Sequence, residues 1–262
     1  MASGVGEAIR MENVDITIGS YPIVAGIDLS IGAGEFMCLL GPSGCGKSTI
    51  LNVIAGFVPP SAGRVSVGGR QVKGPGIDRG VVFQSSEALF PWLTVRQNVE
   101  YGPCSRGVPK SERSDAAMHY INLVGLGQAA DKYPEELSGG MRQRAQIARI
   151  LVNEPPVILM DEPFGALDAQ TRQVMQSELE RIRRATGATI LFITHDISEA
   201  VLLADRIVTM TAGPAARLKS NAEVDMKYPR ELTDAAAVEL YHRLRDDIGE
   251  EVTKVLKAQG LA

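Results

Sequence analysis

Apolar residues recur at every second position near the start of the chain: Val14, Ile16 and Ile18, then Ile27, Leu29 and Ile31. A period of two lays one face of a pleated strand on a core, so strands are expected between Ile9 and about Phe36. Glu35–Leu40 follows as a short apolar strand that stops at Gly41. The spacing then lengthens, and Ile50, Leu51, Val53 and Ile54 form one face of a helix that begins at Lys47 and ends at Gly56. Turn residues Pro59, Pro60, Ser61 and Gly63 lead to a strand at Arg64–Val67, and Gly80–Gln84 reads as another. Helical spacing dominates from about Glu87 to Glu154, with loops at Gly102-Pro103 and Gly125–Gly127. Val157–Met160 and Thr189–Ile193 are unbroken apolar runs, as parallel strands covered on both faces require. Between them Thr171–Ala185 is helical, and a charged amphipathic helix is expected over Asp234–Lys257.

This alternation predicts an α/β core with an antiparallel β subdomain at the N-terminus and an inserted α-helical subdomain. One domain is expected over 9–230, its helical insert at about 87–154, and a C-terminal tail at 231–262.

Composition narrows the class. The 262 residues are 45% hydrophobic and 22% charged, ordinary for a globular protein. The 27 basic and 31 acidic residues leave a formal charge of -4 and no basic stripe, so nucleic acid is not an expected partner. Cys38, Cys45 and Cys104 are odd in number and lack metal-ligand spacing, which suits a reducing compartment. The first residues carry no basic region before an apolar one, so no signal peptide is expected. No run reaches the ~20 apolar residues that span a bilayer, and service at a membrane would require docking onto another chain.

The chemistry begins at Gly41-Pro42-Ser43-Gly44-Cys45-Gly46-Lys47-Ser48-Thr49, where Gly-x-x-x-x-Gly-Lys-Ser fits without a mismatch between a strand and a helix. Glycines let backbone N–H groups converge on phosphate oxygens, and the helix N-terminus adds a positive dipole end. Lys47 would reach the β- and γ-phosphates, and the Ser48 hydroxyl would complete a Mg²⁺ shell. Cys45 reads as a small filler within the loop, although a helix N-terminus can lower a thiol pKa.

Four apolar residues deliver Asp161 to the C-terminal edge of its strand, the edge where open α/β sheets bind ligands. Asp161 would hold Mg²⁺, and Glu162 would face the attacking water as general base or orienter. Leu137-Ser138-Gly139-Gly140-Met141-Arg142-Gln143 opens a further helix. Ser138 is a good N-cap, and Gly139 and Gly140 let a ligand approach the backbone, which makes a second anion site aimed outward.

Taken in order, the phosphate loop, the Leu137–Gln143 segment, Asp161-Glu162 and His195 resemble the ATP-binding subunit of an ABC transporter, over most of the chain. The resemblance implies a P-loop NTPase (RecA-like) core, ATP and Mg²⁺ as cofactors, and pairing with a second ATP-binding subunit, a homodimer or a close paralogue. Each ATP would be held between the phosphate loop of one copy and the Ser138 segment of the other. It implies that Gln84 contacts Mg²⁺ and water, that Asp168 lies across the dimer interface, and that His195 contacts the γ-phosphate. Family members stack an aromatic residue on adenine; counting back from the loop gives about Ile18, with Tyr21 the nearest aromatic.

Phe90 and the single tryptophan, Trp92, follow Gln84 closely; they fit either a docking groove for a permease helix or the core of the helical insert. The stretches Leu89–Val95 and Pro163–Arg172 and the short tail are similar to the nitrate, sulfonate and taurine branch of bacterial importers. That branch implies a peripheral position on the cytoplasmic face of the bacterial inner membrane, transmembrane permease subunits, and a periplasmic or lipid-anchored solute-binding protein. The alternative, a soluble nucleic-acid-acting ABC-type ATPase, normally carries a coiled-coil insert or two cassettes; this sequence has one cassette and no heptads.

Overall fold

In the computed structural model, which describes residues 6–84 and 88–258, alternation and buried runs become strands largely where the pattern places them. In chain order these are β1 (Glu7–Ile18), β2 (Tyr21–Gly32), β3 (Phe36–Leu40), α1 (Lys47–Ala55), β4 (Ala62–Val67), β5 (Arg70–Gln71) and β6 (Arg79–Val82). The helices α2 (Val95–Ser105), α3 (Lys110–Leu123) and α4 (Gly139–Leu151) come next. Then follow β7 (Val157–Asp161), α5 (Ala169–Thr186), β8 (Thr189–Ile193), α6 (Ile197–Leu203), β9 (Arg206–Met210), β10 (Leu218–Glu223) and α7 (Ala235–Ala258). The chain divides into two compact units, one of residues 1–76 and 189–262, the other of residues 77–188.

In the first unit, β2-β1-β4-β5 form an antiparallel sheet. Ile9, Val14, Ile16, Ile27 and Ile31 are fully buried, the alternation having sorted them to one face. β3 lies between β8 and β9, parallel to both, and β10 adds antiparallel to β9. β3 and β8 are buried at every position, which explains their unbroken apolar runs. Leu39 pairs with Ile193 in register, so the loops after β3 and β8 leave the same edge.

In the second unit, β6 pairs parallel with β7, and α2, α3 and α4 pack against one another. α2 opens with a capping box, the Gln97 amide nitrogen donating to Thr94 Oγ1 and Thr94 N–H to Gln97 Oε1. α4 lies so close to β6 that a side-chain carbon at Gly80 would collide with Ile150.

Two differences from the sequence reading are instructive. β6 ends at Val82, its last partner being Met160, and Phe83 and Gln84 turn away from the pairing. The apolar pattern does not mark β9 and β10. β10 reads Leu-Lys-Ser-Asn-Ala-Glu and is a strand because β9 offers it an edge, a tertiary cause that outweighs weak propensity. The expected start of the helical insert at Glu87 lies outside the described residues.

Candidate functional site

In the first unit, β3 runs into Gly41 and α1 starts at Lys47 with Gly46 as its N-cap at φ 99°, the left-handed region that glycine favours. Gly46 is fixed twice over, since a side-chain carbon there would sit 2.7 Å from Val24 Cγ1 and 2.8 Å from Ile23 Cγ2. The first turn of α1 carries no acidic residue, so its positive end is not offset by a local carboxylate. Lys47 is buried, and its Nζ donates to the carbonyl oxygens of Gly41 (2.7 Å) and Pro42 (2.9 Å). The ammonium therefore sits inside the loop. Ser43, Gly44 and Ser48 are exposed and Thr49 half-buried.

Cys45 is buried at 1% exposure. Burial pushes its thiol up, more than the nearby Lys47 charge pulls it down. The thiol is packed in the interior of the loop rather than presented to solvent.

His195 is exposed, two residues beyond β8 at the edge where the phosphate loop leaves β3. Its turn is pinned on both sides. Thr194 Oγ1 donates to the buried Glu199 carboxylate (2.6 Å) and accepts from Asp196 N–H (3.0 Å), while Asp196 caps α6 through Ser198 N–H (2.8 Å). Ile18 and Tyr21 are register partners at the β1–β2 turn, both more than half exposed. The structure offers both as surface side chains there.

In the second unit, Gln84 Nε2 donates to Glu162 Oε2 at 3.1 Å. Asp161 ends β7 and is buried. Glu162 turns the chain at φ 45°, a left-handed conformation uncommon for a residue with a side chain. Ser138 is exposed and caps α4, accepting from Met141 N–H at 3.3 Å. Gly139 opens the helix, and a side-chain carbon at Gly140 would press on Ala166 O and Leu167 Cδ2, each at 3.2 Å. Asp168 is exposed and caps α5. The Thr171 amide (3.0 Å) and hydroxyl (2.7 Å) hydrogen-bond its carboxylate and hold its pKa below the usual value.

Gln143 carries a tie that its place in the sequence does not reveal. Gln143, 1% exposed, donates from Nε2 to Glu162 O (3.3 Å) and accepts Ala166 N–H at Oε1 (3.2 Å). It ties the helix capped by Ser138 to the loop that starts at Glu162. Its side-chain amide supplies the donor and the acceptor together.

The aromatic cluster after Gln84 is at the surface. Trp92 is 69% exposed, its ring 5.6 Å from that of Phe90, which also meets Tyr101 (4.7 Å) and lies under the Arg149 guanidinium (5.2 Å). Trp92 is not core.

Among the described residues no group of three or more His, Cys, Asp or Glu side chains could hold a metal by itself. In the first unit Ser48 offers a hydroxyl oxygen, and in the second Asp161 and Gln84 offer carboxylate and amide oxygens; each is a hard donor of the kind Mg²⁺ takes.

A family model described as ABC transporter matches residues 24–165. The chain belongs to the ABC transporter family. ABC ATP-binding proteins among its relatives include the bicarbonate transport ATP-binding protein CmpC and the nitrate import ATP-binding protein NrtC, both of Synechococcus elongatus. They are 47% and 48% identical over 92% and 88% of this chain. The chain spans only 37% and 35% of those two proteins. A solved ABC cassette, the dimeric post-hydrolysis state of MJ0796 bound to ADP and Pi, superposes with a TM-score of 0.75 at 30% identity, covering 84% of this chain and all of that one. The fold is thus that of a P-loop NTPase with an antiparallel β subdomain, and the chain is an ABC ATPase whose hydrolysis of ATP is coupled to transport. No helix among the described residues is long and apolar enough to cross a membrane.

Proposed function

We propose that this ABC ATPase energises import of a small anion-like solute, of the nitrate, sulfonate, taurine or bicarbonate kind, through a separate permease on the cytoplasmic face of the bacterial inner membrane. It pairs with a second ATP-binding subunit on binding ATP. A periplasmic or lipid-anchored binding protein delivers the solute, and the relatives named for bicarbonate and nitrate support this choice of cargo.

Lys47 and the backbone of Gly41–Thr49 hold the triphosphate, with Tyr21 or Ile18 against the adenine. Ser48, Asp161 and Gln84 would hold Mg²⁺, which would supply positive charge to the phosphate oxygens as negative charge develops there. Glu162 takes a proton from the attacking water, and Gln84 keeps its carboxylate oriented. His195 donates toward the γ-phosphate from its pinned turn. The exposed Ser138 cap with Gly139 and Gly140 closes over the triphosphate of the second copy, and Asp168 lies along that interface.

One observation carries the pairing: an exposed helix N-terminus, glycine-lined and capped by serine, is an anion site built to face outward. The test is light scattering on Glu162→Gln with saturating MgATP. A dimer that dissociates when ATP is replaced by ADP is expected; a monomer under both conditions refutes the pairing.

A further inference from the structure

α7 lies outside every motif considered so far, yet it is tied to the phosphate loop through a short chain of contacts. Its inward face buries Ala237, Leu240, Leu244 and, unusually, Glu251, which is 1% exposed. Glu251 Oε2 accepts the Ala212 N–H at 2.9 Å, and its Oε1 meets Lys254 Nζ (2.6 Å) and Lys219 Nζ (3.2 Å). A buried carboxylate with three donors is an anchor, because leaving it or its partners unmatched is costly.

Ala212 belongs to the segment Thr211–Arg217, closed on itself by Thr211 N–H to Arg217 O (2.9 Å) and Arg217 N–H to Thr211 Oγ1 (2.9 Å). That segment flanks the phosphate loop. A side-chain carbon at Gly213 would stand 3.7 Å from Gly44 O, and one at Gly41 would stand 3.1 Å from Met210 Cβ. It also pairs with β2 where the adenine-side residues begin: Ala215 N–H to Pro22 O (2.9 Å), Ala216 N–H to Ile23 O (3.0 Å) and Ala25 N–H to Ala216 O (3.0 Å). Ile23 and Val24 in turn wall Gly46.

We infer that α7 sets nucleotide affinity: Glu251 anchors the Thr211–Arg217 segment, which braces the phosphate loop on one side and the Tyr21–Val24 strand on the other. Glu251 is a positioning residue; it touches no substrate. Close packing transmits its loss, because neither Gly41 nor Gly46 has slack to absorb a shift. The inference rests on the reading of Gly41–Thr49 as the nucleotide site.

The experiment measures the Kd of a fluorescent N-methylanthraniloyl ATP with Mg²⁺, together with KM and kcat for ATP, on the full chain. Variants are Glu251→Ala, Glu251→Gln, Leu240→Ala and Lys47→Ala. Glu251→Ala should raise Kd and KM about fivefold, with kcat changed less than about twofold, in keeping with loss of one anchoring bond. Glu251→Gln keeps an acceptor for Ala212 N–H and should recover most of the affinity. Leu240→Ala destabilises the same helix away from the segment and should leave Kd near wild type. Wild-type Kd in Glu251→Ala, or an equal rise in Leu240→Ala, overturns the inference. If Glu251→Ala fails to fold, Glu251→Asp, which keeps the charge but shortens the reach to Ala212 N–H, should still raise Kd, and a wild-type Kd in that variant overturns the inference. Unchanged binding in Lys47→Ala would instead sink the nucleotide site itself.

Discussion

The amide of Gln84 and the carboxylate of Glu162, 78 residues apart, are joined by a hydrogen bond of 3.1 Å. A glutamine that has left its strand thus holds the acid expected to handle the attacking water. Gln84→Ala should lower kcat about tenfold while leaving ATP affinity near wild type, because a bond to a charged partner is lost but the acid remains. Steady-state phosphate release and equilibrium nucleotide binding together check this, and a rise in Kd with unchanged kcat would contradict it.

Lys47 already spends its three donors inside the phosphate loop, on Gly41 O, Pro42 O and a longer contact with Cys45 Sγ. Lys47→Ala should weaken ATP roughly 10- to 100-fold, the scale of charge-assisted hydrogen bonds. Isothermal titration with MgATP measures it.

Ser138→Ala removes the cap of α4 and should cost about 1 kcal/mol of stability. Combined with Glu162→Gln it should also abolish the ATP-dependent dimer seen by light scattering. Chemical denaturation separates the first effect from the second.

Trp92→Ala should change stability by less than about 0.5 kcal/mol, because the side chain is mostly in solvent. In vesicles holding the whole transporter it should uncouple hydrolysis from uptake. Intact coupling would show that this surface does not meet the permease.

Acid stability should depend on Glu251. Burial alone would raise its pKa, but Lys254, the Ala212 amide and Lys219 hold it at about 2. A depressed carboxylate stabilises the fold above its unfolded value of about 4.3, and that contribution disappears as pH falls toward 2. Urea midpoints should therefore drop between pH 5 and about 2.5 in wild type, and Glu251→Gln should flatten that slope.

The legible part of this sequence was the part whose signal is local. Buried parallel strands such as β3, β7 and β8 announce themselves as apolar runs, and the phosphate loop is fixed by glycines that the backbone demands. What stayed hidden depends on distant partners. Gln143 looks like any polar residue of a first helical turn until Glu162 and Ala166, 19 and 23 positions away, are brought to it. Glu251 sits in a tail rich in charge, and nothing in its spacing tells that β10 and the Thr211–Arg217 segment enclose it. Trp92 fitted a core or a surface equally well, since hydrophobicity alone does not report exposure.

The amide of Gln143, with the collision waiting at Gly80, stiffens the second unit. A helix held by Gln143 to Glu162 and Ala166 and pressed by Ile150 against β6 has little room to shift alone, so the serine turn and the backbone of Glu162 keep a fixed spacing.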